Sequence, residues 1–144
     1  MGSPWIEFTK WPYDEEMFHF HVAASDGGFG VAQEFYANVE DVIAFGSALE
    51  EFPRGLGDEV TLEAGRKGPR WAHWVSVRAY LYDSVGHAGV TVDVSNNVDD
   101  PYRREAHFTI RCEVAFLNHL GRSLVAWIRS HETTVRVDLT PVGA

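Results

Sequence analysis

Six positions in the middle of the chain recur 75 residues later. Val39, Val42, Phe45, Gly46, Leu49 and Phe52 fall on one helical stripe, and Val114, Leu117, Leu120, Gly121, Leu124 and Trp127 fall on a second, member for member. Any two amphipathic helices share a stripe, but a matched interior glycine is costly, at about 1 kcal/mol relative to alanine. The offset extends into the flanking strands. Val60, Leu62 and Ala64 match Val135, Val137 and Leu139 after the helices, and Val31 and Phe35 match Ala106 and Ile110 before them. Further upstream the offset reads as 72, pairing Phe18, Phe20 and Val22 with Val90, Val92 and Val94. A longer turn at Asn96–Arg103 than at Ser25–Gly28 accounts for the change. The first strand of each half, Trp5–Trp11 and Trp71–Tyr82, aligns only loosely.

These matches describe a β-β-β-α-β unit present twice. Alternation such as Phe18-His19-Phe20-His21-Val22 and Val90-Thr91-Val92-Asp93-Val94 marks strands with one face buried and one wet. A half of this size buries a core poorly by itself, so the reading is one domain over 1–144 with pseudo-repeat halves 1–68 and 69–144. The expected fold class is α+β: a curved, mainly antiparallel sheet of about eight strands with both helices packed on one face. Asn38 stands ready to cap the first helix and Pro53 to end it. The second helix runs from near Glu113 towards Arg129 and His131, cations at its negative end. Gly65–Pro69 joins the halves.

Charge and composition narrow the function. Among 144 residues, 12 Lys and Arg face 21 Asp and Glu, a formal charge of −9. Residues 1–70 carry −8 of it and residues 71–144 only −1. Such a chain is poorly suited to nucleic acid, whose binding depends on cations displacing condensed counterions, whereas its field would steer a basic protein. No apolar run reaches the length of a membrane span, and the first residues lack a signal-peptide pattern. One cysteine, Cys112, fits a reducing cytoplasm.

Chemistry-bearing motifs are scarce. No Walker loop or G-x-S-x-G elbow occurs, and Gly27-Gly28-Phe29-Gly30 reads as a hairpin turn. Cys112 sits at a strand–helix junction where a thiol can be activated, yet its repeat partner is Ala37, so a small buried side chain explains both. His19 and His21 leave one strand on the same face, and with Asp93, His107 or Glu7 they form a weak candidate zinc set. Asp93 is taken there as the repeat partner of His21. No cofactor is expected.

The outward sheet face is the strongest candidate site. Trp74, Arg78, Tyr80 and Tyr82 stand opposite the core-facing Val75, Val77, Ala79 and Leu81, Trp5 and Trp11 stand opposite Ile6 and Phe8, and Tyr36 is on the same side. Trp, Tyr and Arg dominate interface hot spots. Such a face is either a second core or a binding surface. In size, acidity and want of a catalytic motif the chain is similar to the small immunity proteins that accompany bacterial toxins, a similarity of type that carries over no residues. Missing motifs, charge and the aromatic face together point to a non-catalytic, immunity- or adaptor-like protein-binding module, taking a basic protein partner or a second copy of itself, more than to an enzyme. The alternative is a small enzyme or ligand- or metal-binding protein with a His-lined pocket on the wet sheet face.

Overall fold

The alternating segments pair as antiparallel meanders, and each helix follows the third strand of its half. A computed structural model describes residues 2–12 and 16–139. In chain order the elements are β1 (Trp5–Pro12), β2 (Met17–Ser25), β3 (Gly30–Asn38), α1 (Val39–Glu50), β4 (Glu59–Gly65), β5 (Trp74–Leu81), β6 (His87–Ser95), β7 (Glu105–Glu113), α2 (Val114–Ile128) and β8 (Thr134–Asp138). The fold is α+β, with the two β-β-β-α-β units the repeat implies. No helix among the described residues is long and apolar enough to cross a membrane.

Among the described residues the eight strands form two four-stranded antiparallel sheets in place of one curved sheet. Their orders are β3-β2-β1-β8 and β4-β5-β6-β7. The break follows from where each fourth strand goes. β4 leaves α1 and pairs with β5 of the second half, while β8 leaves α2 and returns to β1 of the first. Each sheet therefore holds three strands of one half and one of the other. Strongly twisted sheets tend to split in this way as they wrap a core. One continuous core joins the inner faces of both sheets to the helices, with Ile6, Phe8, Phe20, Val77, Val92, Leu49 and Leu124 almost fully buried.

Ladder register corrects the upstream offset. Phe20 pairs with Phe35 and Val90 with Ile110, so equating Phe35 with Ile110 makes Phe20 equivalent to Val90, an offset of 70. Sequence matching slipped by two, because a shift of two keeps every apolar side chain on the same face. The repeat partner of His21 is accordingly Thr91, not Asp93.

The helices cross where the two glycines meet. A Cβ built on Gly46 would lie 3.1 Å from the Gly121 carbonyl oxygen, and one built on Gly121 would press on the carbonyl oxygen of Gly46. Their remaining neighbours, Leu124 and Val125 at Gly46 and Leu49 and Glu50 at Gly121, are themselves repeat partners.

Helix ends are satisfied from outside the helices. Asn38 occupies the N-cap position of α1 but makes no side-chain capping bond, and the first amide, Val39 N–H, donates to the Glu16 carbonyl at 2.8 Å. At the far end the Asn118 amide of α2 donates to the carbonyls of Leu49 (2.9 Å) and Phe52 (2.8 Å). The last turn of α2 holds no basic residue, and Arg129 is its C-cap. The cation that serves this end is Lys10, which points inward from β1, is 6% exposed, and donates to the carbonyls of Trp127 and Ser130. Its ammonium also sits 4.9 Å from the Trp127 ring centroid. Burial holds the Lys10 pKa below the ordinary lysine value, and the charge of Glu132 partly opposes that shift.

Candidate functional site

Three meander strands place one outward residue each in a row across the first sheet. Trp11 pairs with His19, and His19 with Tyr36. The His19 ring lies 5.2 Å from Trp11 and 4.7 Å, stacked, from Tyr36. Trp11 and Tyr36 are each 46% exposed, so the row is fixed by stacking yet open to solvent. His19 Nε2 donates to Glu34 at 3.1 Å, and His73, from the segment before β5, reaches the same carboxylate at 3.2 Å. One carboxylate thus ties the two sheets together beside the row. At the opposite corner the Arg136 guanidinium lies 4.2 Å from the Trp5 ring centroid. Glu7, Glu34 and Asp138 share this outer face with Arg136, the one lysine or arginine on it among the described residues.

The aromatic candidates are divided between the two sheets. Trp74, Arg78, Tyr80 and Tyr82 belong to the second, where internal partners occupy most of them. The Trp74 indole N–H donates to Glu63 at 2.9 Å. Arg78 pairs with Glu59 at 3.2 Å and lies 4.4 Å over the Tyr80 ring. Tyr80 also covers Gly89 on β6, where an added Cβ would sit 3.1 Å from its ring. Tyr82, just past β5, stacks on His87 at 6.0 Å and stays 41% exposed. This face is a laced sheet surface, and the first sheet carries the more open aromatics.

The candidate metal set is likewise split. His19 and His21 stand on β2 of the first sheet, while Asp93 and His107 are cross-strand neighbours on the second, 2.5 Å apart. Glu7 lies 3.9 Å from Arg136. Among the described residues no group of three or more His, Cys, Asp or Glu could hold a metal ion. A cleft of about 640 Å³ does lie between the sheets, lined by His21, Glu34, His73 and Arg104 among others. Sequence reading runs this strand back to Trp71 and gives His73 no role, whereas β5 begins at Trp74 and His73 acts from the segment before it.

Cys112 is fully buried, and burial, helped by the Glu113 charge, pushes its thiol pKa up to about 12. A neutral, enclosed thiol is no nucleophile. The Gly27–Gly28 turn is equally closed to phosphate. Asp26 accepts the amides of Gly28 (2.9 Å) and Phe29 (2.7 Å), which lowers its own pKa and places an anion where a phosphate would need to sit.

No family model and no curated protein matches the chain. Among solved structures it is similar to the structure of the plant transcriptional regulator PBF-2, with a TM-score of 0.50 over 89% of this chain and 76% of that one. At 12% identity the similarity speaks to fold alone.

Proposed function

We propose that this chain is a non-catalytic protein-binding module of the immunity or adaptor kind, and that it takes a basic protein partner on the outer face of its first sheet. The observation that carries the reading is the stacked, half-exposed row Trp11–His19–Tyr36. Rigid aromatic side chains offer large contact area at little entropic cost, and they form the anchors of protein interfaces. Charge supports the choice of partner, since the face is acidic in balance and residues 1–70 hold −8 of the −9 total. A role in regulating transcription does not transfer from PBF-2 at this identity.

The test compares immobilised wild type with a Trp11→Ala, Tyr36→Ala double variant against lysate of the native host. Capture of one basic protein that the variant loses, with the same melting temperature for both, supports the reading. Equal capture by both proteins refutes it. Sedimentation of the purified chain decides the rival: a tight homodimer broken by the same substitutions assigns the row to self-association.

The cleft between the sheets favours a second reading, a small-ligand binder or enzyme using His21, His73 and Arg104. A stoichiometric small molecule that copurifies and is lost on His73→Ala would establish it in place of the first.

A further inference from the structure

β4 is an edge strand, and its free edge opens into a groove. The groove, about 580 Å³, is lined by the successive residues Glu59 to Glu63 of β4, by Asp41, Ala44, Phe45 and Ala48 of α1, and by Arg54, whose charge is paired with Asp58 at 3.8 Å. Successive strand residues point to opposite faces, so a groove that touches five in a row runs along the strand's edge and not over either face. Among the described residues no backbone or side-chain group outside β5 bonds to the main chain of Glu59–Glu63. β3 approaches β4 only further on, where Phe35 and Tyr36 share a small cavity with Ala64 and Gly65.

The duplication sets the wall of this groove apart from its counterpart beside β8, the matching edge strand of the other sheet. At the offset of 75, Asp41 and Ala44 correspond to Phe116 and His119, and Phe116 packs against the core. Where the first half has a carboxylate and a methyl group, the second has two rings. The helical wall also differs in charge, for α1 carries Glu40, Asp41 and Glu50 and no base, whereas α2 carries Arg122.

We propose that this groove binds an extended, lysine- or arginine-bearing segment of a protein partner, which adds to the second sheet as a fifth strand beside β4. Main-chain bonds to an edge supply the affinity in such pairings, and side-chain pockets and charge supply selectivity. Alternate side chains of the segment would enter the space over Ala44 and Ala48, and the basic ones would face Asp41 and the acidic first turn of α1. The inference rests on reading the chain as a protein-binding module, but it uses a different surface from the aromatic row.

A seven-residue synthetic peptide of alternating lysine and valine, labelled for fluorescence anisotropy, tests it without knowledge of the partner. Saturable binding is expected, with amide hydrogen exchange slowed in β4. Asp41→Phe with Ala44→His, which copies the second half, should weaken binding at least tenfold, and so should N-methylation of the peptide backbone. Asp41→Lys, an exposed single change, should weaken it severalfold at low salt and guards against a variant that misfolds. Absence of saturable binding overturns the proposal. Equal affinity for a glutamate–valine peptide, or unchanged exchange in β4 with peptide bound, overturns it too. None of these results bears on Trp11 and Tyr36, whose variants test the aromatic row separately.

Discussion

Adding one methyl group at Gly121 should destabilise the protein although it improves the helix. In an unconstrained helix, Gly→Ala gains about 1 kcal/mol. Here the new Cβ would press on the carbonyl oxygen of Gly46 and would lie 2.7 Å from the amide nitrogen of Glu50 and 2.8 Å from Leu49 Cβ. Two of those neighbours are backbone and cannot rotate away. Ordinary contact begins near 3.4 Å, so α1 and α2 must part by roughly 0.7 Å or more, which forfeits a quarter to a half of the dispersion energy of the atoms that separate. Overpacking of this kind costs about 1–3 kcal/mol, and a rigid backbone neighbour places it at the upper end. Net of the propensity gain, Gly121→Ala should lose about 2 kcal/mol, a fall in Tm of about 4–8 °C for a chain of this length. At Gly46 the closest atom is Val125 Cγ2, at 2.9 Å, a side chain that can yield, so Gly46→Ala should lose roughly 1 kcal/mol or less. Urea titration of both variants, with calorimetry for Tm, gives the comparison. A Gly121→Ala protein as stable as wild type, or one less affected than Gly46→Ala, would refute the claim that the two helices meet backbone to backbone.

Other expectations follow from single groups. Lys10→Met should cost about 1–3 kcal/mol, because it leaves the carbonyls of Trp127 and Ser130 without their shared donor beneath the sheet; denaturant midpoints read this directly. The thiol of Cys112 has its native pKa raised from 9.0 to about 12, so its contribution is present below pH 9 and is lost as pH rises towards 12. Wild type should therefore lose stability faster than Cys112→Ala across that window, and native Cys112 should resist a thiol reagent at pH 8 until the chain unfolds. Asn97, at a φ of 55°, donates to the carbonyls of Arg66 and Trp71 and accepts the Gly68 amide, so Asn97→Gly should free residues 66–73 to exchange amide protons faster.

Which features sequence alone exposes depends on the interaction involved. Periodicity marks faces, so the inward Val75, Val77 and Ala79 and the matched glycines were legible from spacing. Hydrogen-bond partnership leaves no such trace. Nothing in Val60-Thr61-Leu62 says whether that strand joins its own half or the other, and the division of Trp5 and Trp11 from Trp74 and Tyr80 onto separate sheets was hidden for the same reason. Lys10 sits at a position whose parity is that of Ile6 and Phe8. A lysine there looks like a break in the pattern until the open end of α2 is seen beneath it. His73 and Asn97 act from connecting segments, where only three-dimensional proximity gives a residue its role.

The traded fourth strands also govern the order in which this chain can become a protein. β1 begins at Trp5, and the partner on its outer edge is β8, which pairs Trp5 with Asp138. A ribosome must therefore deliver everything from Trp5 to Asp138 before the first sheet can close. Until then β1 presents an unpaired edge, and contacts that span so much sequence form slowly. Closure of the first sheet thus waits until β8 has been made, and a chain truncated before Thr134 should collect in aggregates in place of persisting as a stable first half.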